Sequence, residues 1–125
     1  MEFNFAEKVN VLGTDYSIQV LKTTVENEFK GLLATAHGCC DSLEKRIVIA
    51  DLSEKNGWKD RKEETLFAYY KQVLRHELTH AFLAESGLAQ ETNKHTPWAL
   101  NEEMVDWMAR QGPKMVKAWQ EAGAL

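Results

Sequence analysis

From Arg61 to Ser86 the chain runs 26 residues without a glycine or proline, and Leu66, Phe67, Tyr70, Leu74, Leu78, Ala81 and Phe82 recur through it at steps of three and four. That period matches the helical turn, so the spacing predicts one long amphipathic helix over 61–86. Gly87 followed by Leu88 reads as its glycine C-cap with the accompanying hydrophobic contact.

The half before this helix is written in short strands. Val9 to Leu12, the turn signal Gly13-Thr14-Asp15, and the alternation from Tyr16 to Val20 predict a hairpin with one buried face. After a polar segment at 26–28, Gly31 to Ala36 predicts a third strand, 37–42 a turn, and Arg46 to Asp51, rich in β-branched residues, a fourth strand. Residues 51–60 predict a loop. Beyond the long helix, 90–96 reads as a polar loop. Thr96-Pro97 then offers an N-cap hydroxyl with proline at the first helical position, so a second helix is expected over 97–110. Gly112-Pro113 stops that helix and starts a third over 114–121. The expected architecture is a single α+β domain over 1–125, a small twisted, mainly antiparallel sheet packed on three helices.

A chain of 125 residues, 44% hydrophobic and 27% charged, buries a core without disulfide staples and is not disordered. Its net charge of -4 argues against nucleic acid as a partner. The longest apolar runs, Ile47 to Ala50 and Ala81 to Ala84, fall far short of the roughly 20 residues that cross a bilayer. Met1 to Phe5 lacks the basic start and apolar core of a signal peptide, so a soluble, cytoplasmic protein is expected. The two cysteines are neighbours, Cys39-Cys40, which rules out a long-range disulfide framework. They read as reduced thiols at a strand end or turn, a redox switch or a metal thiolate being the alternatives. Trp58, Trp98, Trp107 and Trp119 read as core or rim anchors, since no basic surface accompanies them.

Within the long helix, residues 76 to 80 read H-E-L-T-H. Positions four apart on a helix differ by only about 40°, so His76 and His80 present imidazoles from one face and can bind one ion together. A catalytic zinc wants three protein ligands and one open position. Glu77, rotated about 100° from His76, is placed beside such an ion as a general base rather than a ligand. The missing ligand should come from Asn101-Glu102-Glu103-Met104-Val105-Asp106. Glu102 is favoured because Asp106, four residues on, shares its face and can accept the free N–H of a ligating histidine. Glu103 stays open as the alternative. Their bland reading is a solvated acidic face near a helix start. His37 and His95, in loops, are surface histidines or oxyanion donors to a substrate. Tyr69, close to the His76 face, is a further candidate donor, with core packing as its other reading. An H-E-x-x-H string arises by chance in on the order of one chain in a few hundred, but here it sits on a long helix with carboxylates downstream.

His76-Glu77-Leu78-Thr79-His80, followed by Asn101-Glu102-Glu103-Met104-Val105-Asp106, resembles the gluzincin pattern, H-E-x-x-H with a distant N-E-x-x-x-D. The resemblance implies a zincin-like fold, one zinc per chain held by His76, His80 and Glu102, Glu77 as general base, and Asp106 supporting a histidine. Glu103 departs from the thermolysin-like form of the motif. The small size, the order of strands, active helix and acidic helix, and the stretches H-E-L-T-H-A-F-L-A-E-S-G-L and N-E-E-M-V-D-W-M-A resemble the compact metallopeptidases of phages and mobile elements, including ImmA/IrrE-type proteins.

The resemblance implies a zinc-dependent endopeptidase acting in a bacterial cytoplasm on a protein or peptide, such as a transcriptional repressor. No helix-turn-helix is evident in this chain, so the repressor would be a separate protein. The reading from a different class is a non-catalytic zinc-binding module that grips a partner protein. A third is a metal-free core helix with its histidines satisfied by hydrogen bonds.

Overall fold

The structure, a computed structural model, describes residues 3–23, 26–91 and 97–125. Four strands, β1 (Lys8–Val11), β2 (Thr14–Lys22), β3 (Gly38–Asp41) and β4 (Arg46–Asp51), form one sheet in the spatial order β1-β2-β4-β3. Both outer pairings are antiparallel; the central pairing, β2 with β4, is parallel, with Ile18 opposite Ile47 and Val20 opposite Ile49. The sheet is therefore mixed, and β3 is an edge. The helices are α1 (Lys30–Leu33), α2 (Glu63–Glu85), α3 (Leu88–Glu91) and α4 (Glu102–Glu121), with a 3-10 turn over Trp98–Leu100. The architecture is α+β, as expected. No helix among the described residues is long and apolar enough to cross a membrane.

Burial explains the layers. Ile47, Val48, Ile49 and Ala50 are each at most 1% exposed, so β4 is covered on both faces, as its unbroken apolar run implies. Across the sheet lies α2, burying Leu66, Tyr70, Val73, Glu77 and Ala81. Both of its ends are tied to the sheet. The Tyr70 hydroxyl accepts from the Leu52 N–H at 2.9 Å, just beyond β4. At the other end the Glu85 carboxylate accepts from the Tyr16 hydroxyl and Lys45 Nζ, each at 2.7 Å, and from the Thr14 hydroxyl at 3.2 Å. His76 and His80 sit between these anchors. Gly87, with φ +86°, ends the helix where the sequence places the cap, directly after Ser86 donates back to Phe82.

Three expectations from the sequence need correction. Residues 31–36 are not the third strand: 30–33 form α1, and the strand is Gly38–Asp41, inside the expected turn. Asn27 starts the helical turn, its side chain accepting from Phe29 N–H at 2.8 Å and its carbonyl from Lys30 N–H at 3.2 Å. Leu33 then plugs the core, while Gly31 and Leu32 stay exposed. A short apolar run does not distinguish these two states by period. Strand β3 has no β-branched residue and owes its form to pairing with β4. A turn closed by the Asp41 carboxylate, which accepts from the Leu43 and Glu44 N–H groups, sets that pairing.

The second correction concerns the carboxyl-terminal helices. The expected 97–110 and 114–121 are one helix, α4, and its N-cap is Asn101, whose side chain accepts from Met104 N–H at 2.8 Å. Thr96 lies outside the described residues. Pro113 stands inside α4 and removes the N–H that would bond the Ala109 carbonyl. Arg75 on α2 fills that vacancy, its Nε donating to Ala109 O at 2.7 Å.

Third, Trp98, Trp107 and Trp119 are 57%, 53% and 46% exposed, so they are not core anchors. Only Trp58 among the four is a packed rim anchor, set against the core cluster.

Candidate metal centre

On α2 the four-residue step brings the His76 and His80 rings to a centroid separation of 5.0 Å, with their Nε2 atoms 3.2 Å apart. Glu102 opens α4, and the Asn101 cap fixes its backbone. Its Oε2 lies 2.9 Å from His76 Nε2 and its Oε1 lies 3.0 Å from His80 Nε2. Donor atoms of the three residues all lie within 4.8 Å of one another. Two nitrogens bound tetrahedrally to one zinc at 2.0–2.1 Å stand about 3.3 Å apart, so the spacing fits a shared ion. Two imidazole nitrogens facing each other across a shared carboxylate also suit a cation better than mutual hydrogen bonding. Glu102 is 70% exposed at its side chain, which leaves the outer side of the cluster open.

Glu103 is exposed and stands outside this group, so of the two carboxylates it is Glu102 that meets the histidines. Asp106 stands one turn further, with Oδ1 3.4 Å from His76 Nδ1, while its Oδ2 accepts from Arg110 Nε at 2.8 Å. The Arg110 guanidinium, and His76 after it, hold the Asp106 carboxyl below its usual range. Asp106 thus stays ionised and orients the His76 ring. Burial lowers the His80 pKa, against the opposing pull of Glu102, and so favours the neutral imidazole that ligates metals.

Among the described residues Glu77 is the buried charged one, 7% exposed. Its Oε1 lies 3.9 Å from His76 Nε2, beside the cluster but too far to hydrogen-bond. Burial pushes its pKa up to about 7, with Glu102 adding to the rise and His76 opposing it. The neighbour that buries it is β3. A Cβ on Gly38 would stand 2.7 Å from Val73 Cγ1 and 3.0 Å from Glu77 Cγ, so only glycine allows the edge strand this close.

The cluster lies in a groove of about 790 Å³ between β3, α2 and the start of α4. Ala50 N–H donates to the His37 carbonyl, which marks 37 and 50 as a hydrogen-bonded pair of the β3–β4 ladder. By alternation Gly38 and Cys40 turn their N–H and C=O groups away from β4, toward the open edge.

Cys39 and Cys40 line this groove but stand outside the His76, His80 and Glu102 group. Burial raises both thiols, Cys40 to about 12, which favours their protonated form. His37 is half-buried in the groove, not a plain surface residue, and its Nδ1 lies 2.7 Å from the Tyr69 hydroxyl. Tyr69 is two turns from His76, so this pair faces the groove at a distance from the cluster. His95 lies outside the described residues.

The sequence reading missed Gly38, Arg75 and Arg110. Arg110 follows Asp106 by four residues, a spacing legible as a helical ion pair. Gly38 and Arg75 act across tertiary contacts and leave no local signature.

Comparison with family models, with curated proteins and with solved structures gave no match. What can be said of function therefore rests on the site itself.

Proposed function

We propose that this chain is a zinc-dependent endopeptidase of the gluzincin kind. The observation that carries the proposal is a buried carboxylate, Glu77, standing beside an open-sided group of two imidazoles and a carboxylate on the wall of a groove. The match of His76, Glu77, His80, Glu102 and Asp106 to the gluzincin motif supports it. Zinc held by His76, His80 and Glu102 would supply a Lewis acid that polarises a peptide carbonyl and acidifies an attacking water.

The protein's own groups do the rest. Glu77 takes a proton from the water that attacks the carbonyl carbon and passes it to the leaving amine as the C–N bond breaks. Asp106, held ionised by Arg110, keeps His76 in the tautomer whose Nε2 is free to ligate. The open edge of β3 pairs with an extended substrate through the backbone groups of Gly38 and Cys40. The substrate is then a segment of a separate protein able to reach the groove in extended form, a transcriptional repressor being the kind that the family resemblance implies.

Metal analysis of protein purified without chelator is expected to find one zinc per chain, absent in His76→Ala. Glu77→Gln is expected to keep the zinc and retain the substrate uncut, so that it co-purifies. A zinc-loaded wild-type protein that cleaves nothing its Glu77→Gln form captures would favour a non-catalytic zinc-binding module instead.

A further inference from the structure

The groove continues past the His–Glu cluster to a second group of side chains. Tyr69 precedes His76 by seven residues, so it lies on the same face of α2 and about 10 Å away along the axis. Its ring stacks on Trp58 at a centroid separation of 4.7 Å, and the His37 ring meets Trp58 edge-on at 5.2 Å. Its hydroxyl and His37 Nδ1 are 2.7 Å apart.

Counting hydrogens on this pair shows what it offers a ligand. Burial, with Lys55 adding to it, favours neutral His37, and burial likewise keeps the Tyr69 hydroxyl protonated. Two polar hydrogens are then available, and one is spent between the partners. The other, on His37 Nε2 or on the Tyr69 oxygen, is a donor with no partner among the described residues.

A cation stands beside the pair on the His37 side. Lys55, three residues before Trp58, acts on His37. Lys55 is fixed beside His37 by its bond to the Ala34 carbonyl at 2.9 Å. Arg110, paired with Asp106, lines the same groove. Carboxylates dominate the cluster end, where Glu77, Glu102 and Asp106 stand. An acidic group on a bound peptide meets the free donor and Lys55 at the His37 end.

We propose that the His37–Tyr69 pair, with Lys55 beside it, forms a subsite for an acidic side chain of a bound peptide, about three residues from the bond that Glu77 addresses. The interval follows from the rise of an extended chain, roughly 3.3 Å per residue, over the 10 Å between Tyr69 and His76. The subsite rests on the peptide-cleaving reading for what occupies the groove, not for its own binding chemistry.

Fluorescein-labelled nonapeptides of mixed alanine and serine, with a single glutamate walked through every position and a glutamine twin for each, test it. Binding is followed by fluorescence anisotropy and by the imidazole NMR signals of His37, in zinc-loaded Glu77→Gln protein so that nothing is cut. At one position glutamate is expected to bind at least about fivefold more tightly than glutamine, as suits a charge-assisted hydrogen bond, with the His37 signals moving. Replacing both partners, His37→Phe with Tyr69→Phe, removes both hydrogens while keeping aromatic rings against Trp58, and is expected to reduce that preference to less than about twofold. Equal binding of the twins at every position, or a preference untouched by the double replacement, would overturn the subsite. Glu102→Ala separates this proposal from the metal reading. A glutamate preference that survives there supports the subsite even if no metal binds, whereas one that vanishes places acid recognition at the cluster and sinks it.

Discussion

Arg75 Nε donates to the carbonyl oxygen of Ala109 at 2.7 Å, and Ala109 is the residue whose helical partner Pro113 cannot provide. One side chain thus repairs α4 and pins it to α2, the helix that carries both histidines. Glu102 and Asp106 lie on the same stretch of α4, so their reach toward His76 depends on this bond.

Replacing Arg75 by alanine leaves that carbonyl unpaired and is expected to lower stability by about 1–3 kcal/mol, the cost of an orphaned, partly buried acceptor that had a charged donor. In a Pro113→Ala background position 113 regains its N–H and bonds Ala109 itself, so the same substitution is expected to cost less. Urea unfolding of the four proteins in this double-mutant cycle reads the coupling directly. Additive losses would show that the two residues do not share the carbonyl.

Gly38→Ala places a methyl group 2.7 Å from Val73 Cγ1 and against Glu77. Overpacking of this kind typically costs about 1–3 kcal/mol, and here the edge strand must move off α2 to relieve it. Thermal melts are expected to fall while zinc content holds, since His76, His80 and Glu102 lie outside the contact. A variant as stable as wild type would mean that β3 does not lean on Glu77.

The third-ligand assignment is tested by comparing Glu102→Ala with Glu103→Ala. The first is expected to lose zinc at sub-micromolar free metal, and the second to keep it, because only the Glu102 carboxylate reaches the two Nε2 atoms. Isothermal titration with zinc distinguishes them, and the reverse pattern would move the ligand to Glu103.

In metal-free protein, stability should depend on pH through Glu77. Its carboxyl, at about 7 when folded and an ordinary 4.5 otherwise, holds its proton more tightly in the folded state. Its contribution is most favourable below pH 4.5 and declines as the pH rises through about 7, by up to about 3 kcal/mol. Glu77→Gln removes this slope, so chelator-treated variant and wild type should diverge between pH 5 and pH 8, with the variant gaining. An unchanged difference at the two pH values would contradict the burial of an ionisable group there.

Much of this site could be read from the chain alone, because its chemistry is local. The H-E-x-x-H step places two imidazoles on one helical face wherever the helix packs, and the glycine at 87 stops that helix in the left-handed conformation that glycine tolerates. Strand β4 announced itself by its β-branched run. What was not legible depends on distant partners. Strand β3 has no intrinsic signal and exists because β4 offers it a ladder. Pro113 looks like a helix breaker until Arg75, 38 residues earlier, supplies the missing donor. The buried stripe of α2 passes through Val73 and Glu77, while Phe82, which shares the apolar period, is 44% exposed. A carboxylate on the inner face of a helix breaks the hydrophobic pattern, and such a break marks function more often than it marks error.

The central claim is that Glu77 moves a proton during peptide hydrolysis. The most direct measurement is mass-spectrometric detection of new peptide termini after incubating a proteome-derived peptide library with zinc-loaded wild-type protein and, separately, with equally loaded Glu77→Gln. The account predicts a recurrent cleavage sequence with the wild type and none with the variant. Equal cleavage by both, or no cleavage by a wild-type protein shown to hold its zinc, would contradict it.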